Sequence, residues 1–168
     1  MLALPWLAVC AVFDLRTRSV PVWLSIPPLL AAIAWTAWLG GWAVCLLALT
    51  LIALDDVPFR LRGFLGGLQG LLLLFAWLQG GQPALILGLV LIGLWLFWKL
   101  GAYGGADAQA LMTLALFFQP AVLIPIAAAG GIQGLVQWQR GKQTLPAMLA
   151  ILAGTGIHIL SNYLQTIP

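Results

Sequence analysis

Residues 103–120 read YGGADAQALMTLALFFQP, and how this stretch folds sets the number of helices in the chain. Asp107 follows a glycine pair and is itself followed by an apolar run that ends at Gln119-Pro120. That run is shorter than the roughly 20 residues that a transmembrane helix needs. Two interpretations are open: a short separate helix that ends before Pro120, or one longer helix that continues through a proline kink.

The composition indicates that the whole chain lies in a membrane. Of its 168 residues, 63% are hydrophobic and only 7% are charged, and the mean hydropathy is +1.08. Soluble domains carry about 25% charged residues. Apolar stretches run from end to end, so we expect residues 1–168 to form a single integral membrane domain in contact with the lipid bilayer.

The charged residues, the cysteines and the histidine argue against several other classes of protein. Seven Lys and Arg exceed four acidic residues, but they are scattered in short loops and form no basic stripe, so we expect no binding of nucleic acid. Cys10 and Cys45 lie inside apolar runs without CxxC spacing, and His158 is the sole histidine. We therefore expect neither a metal site nor a cofactor.

Turn-forming and charged residues divide the chain into eight apolar segments. The breaks between the segments are rich in Gly, Pro or charge, as at Gly40-Gly41 and from Gly80 to Pro83. The segments cover residues 2–17, 21–39, 42–56, 64–79, 83–100, 107–119, 120–138 and 145–164.

The positions of the basic residues favour eight spans over seven, because Lys and Arg gather in cytoplasmic loops. With eight spans and the N-terminus outside, every basic residue falls on the cytoplasmic side. These residues are Arg16, Arg18, Arg60, Arg62, Lys99, Arg140 and Lys142. A single kinked helix after Asp107 would place the last two outside. The sequence therefore predicts an all-α, multi-pass transmembrane bundle of about eight spans in the cell membrane.

An even number of predicted spans separates two carboxylates, which places both on the same side of the membrane. Asp14 ends the first predicted span and Asp107 opens the sixth, and the four spans between them return the chain to the side that it left. We expect Arg16 and Arg18 to anchor the end of the first span at the headgroups while Asp14 stays at membrane depth. Both aspartates are then predicted to lie at the cytoplasmic face, where they can meet.

A pair of carboxyl groups at the edge of the hydrocarbon is chemically versatile. Like-charge repulsion and desolvation make such a pair hold a single proton, so that one group acts as an acid and the other as a base. This pair can activate a water and protonate the leaving amine of a peptide bond. We expect Gly104 and Gly105 to give the chain before Asp107 access to positive φ and to let a substrate backbone approach.

Other interpretations of these aspartates are open. Asp107 can simply cap a helix, as Asp often does, and Asp14 can simply end one. Intramembrane carboxylates also mark proton paths, so a proton-coupled transporter or channel is the main alternative function. A structural assembly subunit with inert aspartates is a third.

Two motifs resemble those of the type IV prepilin peptidase family, which includes the archaeal preflagellin peptidases and consists of intramembrane aspartyl proteases. FDLRTRSVPVWL, residues 13–24, is similar to the first family motif, in which an Asp precedes basic residues and a Val-Pro or Ile-Pro pair. GGADAQALMTLALFFQP, residues 104–120, resembles the glycine-rich Asp motif. LPAMLAILAG, residues 145–154, is a weaker third match, and together the three cover about forty residues.

The resemblance implies that Asp14 and Asp107 form the catalytic pair and that Gly104, Gly105, Arg16, Arg18 and Pro21 shape the site. It also implies a substrate, a pilin-like or archaellin-like precursor whose basic leader is removed at the cytoplasmic face. Val22 and Gln109 depart from the family pattern, in which Asn and Lys are common at these positions. The spacing between the two aspartates is longer than in the family, which implies an extra helical hairpin between the motifs.

Three further features of the sequence have less specific interpretations. The adjacent Asp55 and Asp56 diverge in direction and are predicted to form a cytoplasmic turn rather than a catalytic pair. His158, one turn from Asn162 in the last span, is expected to hydrogen-bond from one helix to another rather than to act in catalysis. The spacing of Gly66 and Gly70 predicts close helix packing rather than ligand binding.

Overall fold

The computed structural model describes residues 2–54, 59–139 and 147–166, with the side chains of all of them except 59–62 and 138. Within these ranges every regular element is a helix, so the all-α prediction is confirmed for this part of the chain. The elements are α1 (Ala3–Thr17), α2 (Val22–Trp38), α3 (Trp42–Ala53), α4 (Phe59–Lys99), α5 (Gly105–Phe118), a 3-10 helix (Pro120–Val122), α6 (Leu123–Gln139) and α7 (Ala147–Gln165).

Helix α4 is interrupted at Gly81, where the backbone has φ 65° and ψ −152° and leaves the helical conformation. Glycine adopts a positive φ without the steric cost that a Cβ brings. The two halves of α4 fold back on each other, since a Cβ built on Gly88 would lie 2.6 Å from a methyl group of Leu73. The predicted break between Gly80 and Pro83 is therefore confirmed, and this region forms a helical hairpin.

Helices α5 and α6 are also separate, because the backbone at Gln119 has φ 64° and ψ 167°. The 3-10 helix follows directly and leads into α6. Helix α6 turns back towards the start of α5, since Asp107 in the first turn of α5 and Gln133 in the second half of α6 line the same cleft. Of the two interpretations of this stretch, the short separate helix is the one observed.

Three uncharged turns lie together at one end of the bundle. Gly41, Gly80 and Pro120 line one shared pocket there, although they are far apart in sequence. All three turns are predicted to lie on the external side of the membrane, because they contain no basic residue. Their grouping at one end agrees with the prediction that successive helices run in alternating directions.

In the described part of the chain, three helical stretches are long and apolar enough to cross a membrane: Gly63–Lys99, Pro120–Gln137 and Ala147–Gln165. The first of them contains the turn at Gly81, and α2, α3 and α5 are shorter apolar helices. At about 1.5 Å per residue, α5 reaches only roughly 21 Å, whereas a hydrocarbon core is roughly 30 Å thick. Crossing by all eight segments and an external N-terminus stay predictions.

Helix α5 is the central helix of the bundle. Every side chain from Ala110 to Leu116 is buried, as expected for a helix that is apolar on all sides. The outer helices instead expose large apolar side chains, such as Trp38 at 84% and Ile124 at 73%. An apolar exterior of this kind suits contact with lipid. The central position of α5 fixes where its first turn, which carries Asp107, lies in the molecule.

Candidate active site

Asp14 and the first residues of α7 meet at the end of the bundle opposite the three uncharged turns. Asp14 lies in the last turn of α1 and is half-buried. Its Oδ2 accepts a hydrogen bond of 3.3 Å from the backbone N–H of Met148. The first N–H groups of a helix have no partner within the helix and carry its partial positive charge. Asp14 therefore supplies the acceptor that the start of α7 needs.

Asp107 likewise accepts a hydrogen bond at the start of a helix, but the helix is its own, α5. It is half-buried in the first turn of α5, and its Oδ2 accepts a hydrogen bond of 3.2 Å from the backbone N–H of Gly104. Each aspartate is thus held at a helix N-terminus, Asp14 at that of α7 and Asp107 at that of α5. A carboxylate is stabilised at either place by the helix dipole.

Both carboxylates lie around the start of α7, since Asp14 accepts from the N–H of Met148 and the cleft beside Asp107 is also lined by Ala147. They belong to helices that are far apart in sequence, and α7 packs against both of those helices. Among the described residues both hydrogen bonds go to Oδ2, which leaves the Oδ1 atoms of Asp14 and Asp107 for a water or a substrate. The arrangement therefore has the two parts that acid–base chemistry requires, two neighbouring carboxyl groups with oxygen atoms that the helix caps do not use.

A cleft of about 760 Å³ opens beside Asp107. Residues of α5 and α7, the first two thirds of α6, the end of α4 and the loop before α5 form its walls, which are mostly apolar. Tyr103, Asp107 and Gln133 are the polar side chains that line it. The volume lies within the usual range of sites that hold small ligands or a few residues of a peptide.

Sequence reasoning missed Tyr103 and Gln133 as part of this site. Burial raises the pKa of Tyr103, so its hydroxyl stays protonated and can donate a hydrogen bond into the cleft. Gln133 and Gln137 are one turn apart in an otherwise apolar segment, and that spacing places them on one helix face. This pair of amides was the signal in the sequence that could have placed the second half of α6 at the site.

The glycine pair before Asp107 acts differently from the prediction. Gly104 has φ −69° and ψ 157°, Gly105 is helical, and the positive φ in this loop is found at Gly101, with 76°. The expectation that the pair uses positive φ is therefore wrong. The pair is needed for space instead, because a Cβ on Gly104 would lie 3.3 Å from Oδ2 of Asp107, and one on Gly105 would lie 3.3 Å from Nε1 of Trp98.

The other predicted site-shaping residues lie in the connection between α1 and α2. Arg16 and Arg18 are exposed, and Arg18 ends α1 in a left-handed conformation with φ 55°, where its N–H donates to the carbonyl oxygen of Asp14 at 3.0 Å. Pro21 precedes α2 with φ −61° and ψ 141°. These residues thus fix where α1 stops, one turn after Asp14, and where α2 starts.

Two predicted features lie elsewhere. His158 lies 3.2 Å from the side-chain amide of Asn162 in the same helix, α7, and not in the predicted bond to another helix. Its ring packs at 6.1 Å on that of Phe118, the last residue of α5. It therefore lies at the opposite end of α5 from Asp107. Asp55 and Asp56, and with them Arg140 and Lys142, lie outside the described residues.

No protein-family model, no curated protein and no solved structure matches this chain.

Proposed function

We propose that this protein is an intramembrane aspartyl endopeptidase of the type IV prepilin peptidase kind. Its substrate is a pilin-like or archaellin-like precursor, from which it removes a basic leader at the cytoplasmic face of the cell membrane. The observation that carries the proposal is the placement of two half-buried carboxylates around the start of α7, where Asp14 accepts from Met148 and Asp107 lines a mostly apolar cleft that Ala147 also lines.

The chemistry needs only the two carboxyl groups and a water. One carboxylate takes a proton from the water, whose oxygen attacks the carbonyl carbon of the scissile bond. The other, protonated carboxyl group gives its proton to the amide nitrogen as the carbon–nitrogen bond breaks, so the products are a carboxyl and an amino terminus. The backbone N–H groups of Met148 and Gly104 hold Asp14 and Asp107 through one oxygen each during these steps.

The cleft suits a substrate that is apolar on one side of the cut and basic on the other. Apolar residues of α6 and α7, such as Ile126 and Ile151, can contact the apolar helix of the precursor. The basic leader stays in the cytoplasm, where it reaches the site at the end of the bundle that carries Asp14. The scissile bond at the end of the precursor's helix therefore needs no unwinding of a whole transmembrane segment.

The test is co-expression with a tagged pilin-type precursor, followed by measurement of the precursor's size. Asp14→Asn and Asp107→Asn should each abolish processing, because Asn cannot exchange the proton. His158→Asn is the control, since it removes a titratable side chain of α7 that packs on Phe118, at the end of α5 away from Asp107, and it should process normally. Full processing by the double Asp→Asn variant would exclude the proposal.

A second comparison separates catalysis from helix capping. Asn keeps an oxygen that can accept the Met148 N–H, whereas Ala does not, so capping alone predicts that Asp14→Asn behaves like the unmodified protein and that only Asp14→Ala is impaired. Catalysis predicts that both variants are inactive. The pH–rate profile of the unmodified protein should have two slopes, one lost in each Asp→Asn variant. Proton flux into protein-containing vesicles without processing would instead identify a transporter.

A further inference from the structure

A second cleft, of about 610 Å³, lies between α3 and the two halves of α4. Leu51, Leu54 and Ile92 make its walls largely apolar, and Lys99, the last residue of α4, is also in its lining. It is distinct from the cleft beside Asp107, with which it shares no lining residue. Its polar groups have no role in the proposed proteolysis, so a ligand can bind here whether or not the protein is a peptidase.

One wall of this cleft is the glycine face of α4. The spacing of Gly66 and Gly70 predicts close packing against another helix, but a Cβ on either residue would meet no atom within 4 Å. Both glycines line the cleft instead. Within the described part of the chain the packing prediction is therefore wrong, and the missing side chains create open space beside an apolar surface.

Gln69 places a buried acceptor in this space. Only 7% of the residue is exposed, and its Nε2 donates to Oγ1 of Thr50 at 2.9 Å. The Thr50 hydroxyl donates in turn to the carbonyl oxygen of Leu46 at 2.8 Å, so it accepts from Gln69 and the orientation of the amide follows. Oε1 of Gln69 is then left buried with no hydrogen-bond partner in the described residues.

Trp95 places a buried donor in the same cleft. Its Nε1–H is buried and also lacks a partner among the described residues. An unpaired buried polar group is destabilising, and native proteins rarely keep one without a ligand or a water. A hydroxyl group can accept from Trp95 and donate to Gln69. A single water occupies about 30 Å³ of liquid, far less than this apolar-walled cleft provides.

Lys99 adds a positive charge at the mouth of the cleft. Its Nζ lies 4.2 Å from the ring centroid of Trp98 and 5.8 Å from that of Trp95. A cation beside an apolar cleft with an internal donor and acceptor suits an amphiphile with an anionic headgroup. The adjoining stretch Gly63–Lys99 is apolar enough to lie in a membrane, so such an amphiphile is at hand in the bilayer.

We propose that this cleft binds an anionic phospholipid whose headgroup carries a hydroxyl group. The hydroxyl accepts from Trp95 and donates to Gln69, the phosphate lies beside Lys99, and an acyl chain covers the face formed by Gly66 and Gly70. Phosphatidylglycerol has this chemistry. Phosphatidylcholine has the same phosphate and chains but neither a net negative charge nor a headgroup hydroxyl.

The test compares the two lipids on the whole protein by native mass spectrometry after purification in detergent. The unmodified protein should retain phosphatidylglycerol at least tenfold better than phosphatidylcholine with the same chains. Gly66→Leu fills the cleft and should reduce this retention at least tenfold. Gly67→Leu is the matched control, because a Cβ at Gly67 also meets nothing within 4 Å and Gly67 does not line this cleft. The Gly67→Leu variant should retain phosphatidylglycerol like the unmodified protein.

Two further variants test the polar contacts separately. Gln69→Leu and Trp95→Phe each remove an unpaired polar atom, so they should abolish the preference for phosphatidylglycerol and leave weak retention of both lipids. Trp77→Phe, an exposed position on the same helix, should change nothing. Equal retention of both lipids by the unmodified protein, normal retention by Gly66→Leu, or binding of free glycerol phosphate as tight as that of the lipid would each overturn the assignment.

Discussion

The contact between Gly154 of α7 and Ile126 of α6 allows a sharp prediction about the stability of the bundle. A Cβ on Gly154 would lie 2.5 Å from the backbone nitrogen of Ile126 and 2.8 Å from its Cγ1, whereas ordinary contacts begin at 3.4 Å. The neighbour is backbone, which cannot rotate away as a side chain can. Gly154→Ala therefore forces α6 and α7 apart by roughly 1 Å, because packed interiors have little room to yield.

The expected cost follows from overpacking, which typically destabilises by about 1–3 kcal/mol. Replacing glycine within a helix also gains up to about 1 kcal/mol in helix propensity. Gly156→Ala isolates that gain, because it lies in the same helix and its Cβ would meet nothing within 4 Å. We expect the free energy of unfolding of the Gly154 variant to lie about 1–3 kcal/mol below that of the Gly156 variant.

Thermal unfolding in detergent, followed by tryptophan fluorescence, measures this difference. At about 2–4 °C per kcal/mol for a chain of this size, the two melting temperatures should differ by about 2–12 °C. Because α6 and α7 form two walls of the cleft beside Asp107, the Gly154 variant should also process a precursor more slowly than the Gly156 variant does. Equal melting temperatures for the two alanine variants would show that the helices do not cross at Gly154.

Three smaller perturbations test other parts of the structure. Gln119→Gly should raise the free energy of unfolding by about 1 kcal/mol, since its φ of 64° and ψ of 167° favour glycine; an unchanged melting temperature would contradict that backbone conformation. Gly105→Leu should destabilise through contact with the Trp98 ring, by about 1–3 kcal/mol, and Trp98→Ala in the same chain should restore most of the loss. Gln133→Leu should lower the rate of precursor cleavage, because Gln133 lines the cleft; full activity would remove it from the site.

The positions of the turns were predictable from sequence because their causes are local. Gly81 takes a positive φ that suits glycine, and Pro120 follows a residue whose backbone is not helical. Backbone chemistry of this kind acts over a few residues and needs no knowledge of the rest of the fold. The ends of α2, at Val22 and Trp38, accordingly lie within one residue of the predicted segment 21–39.

The rotation of each helix about its axis was not predictable in the same way. In a soluble protein the buried face is apolar and the opposite face is polar, but in a bilayer both faces are apolar and the sequence pattern no longer distinguishes them. The hydrogen bond from Met148 to Asp14 joins residues 134 positions apart and depends on how α1 and α7 are turned. The open glycine face at Gly66 and Gly70 depends on the same rotation, which is why its packing was predicted wrongly.

The electrostatics of the aspartate pair lead to a prediction about stability that also bears on function. Ser, Thr or Asn caps a helix about as well as Asp does, so capping alone gives no reason to place two negative charges within reach of each other. Repulsion between the carboxylates opposes folding, and Asn at both positions keeps an acceptor for Met148 and Gly104 while it removes that repulsion. The Asp14→Asn, Asp107→Asn double variant should therefore unfold at the same temperature as the unmodified protein or higher, and have no activity. A clear loss of stability in the double variant at neutral pH would mean that the carboxylates are retained for the fold rather than for chemistry.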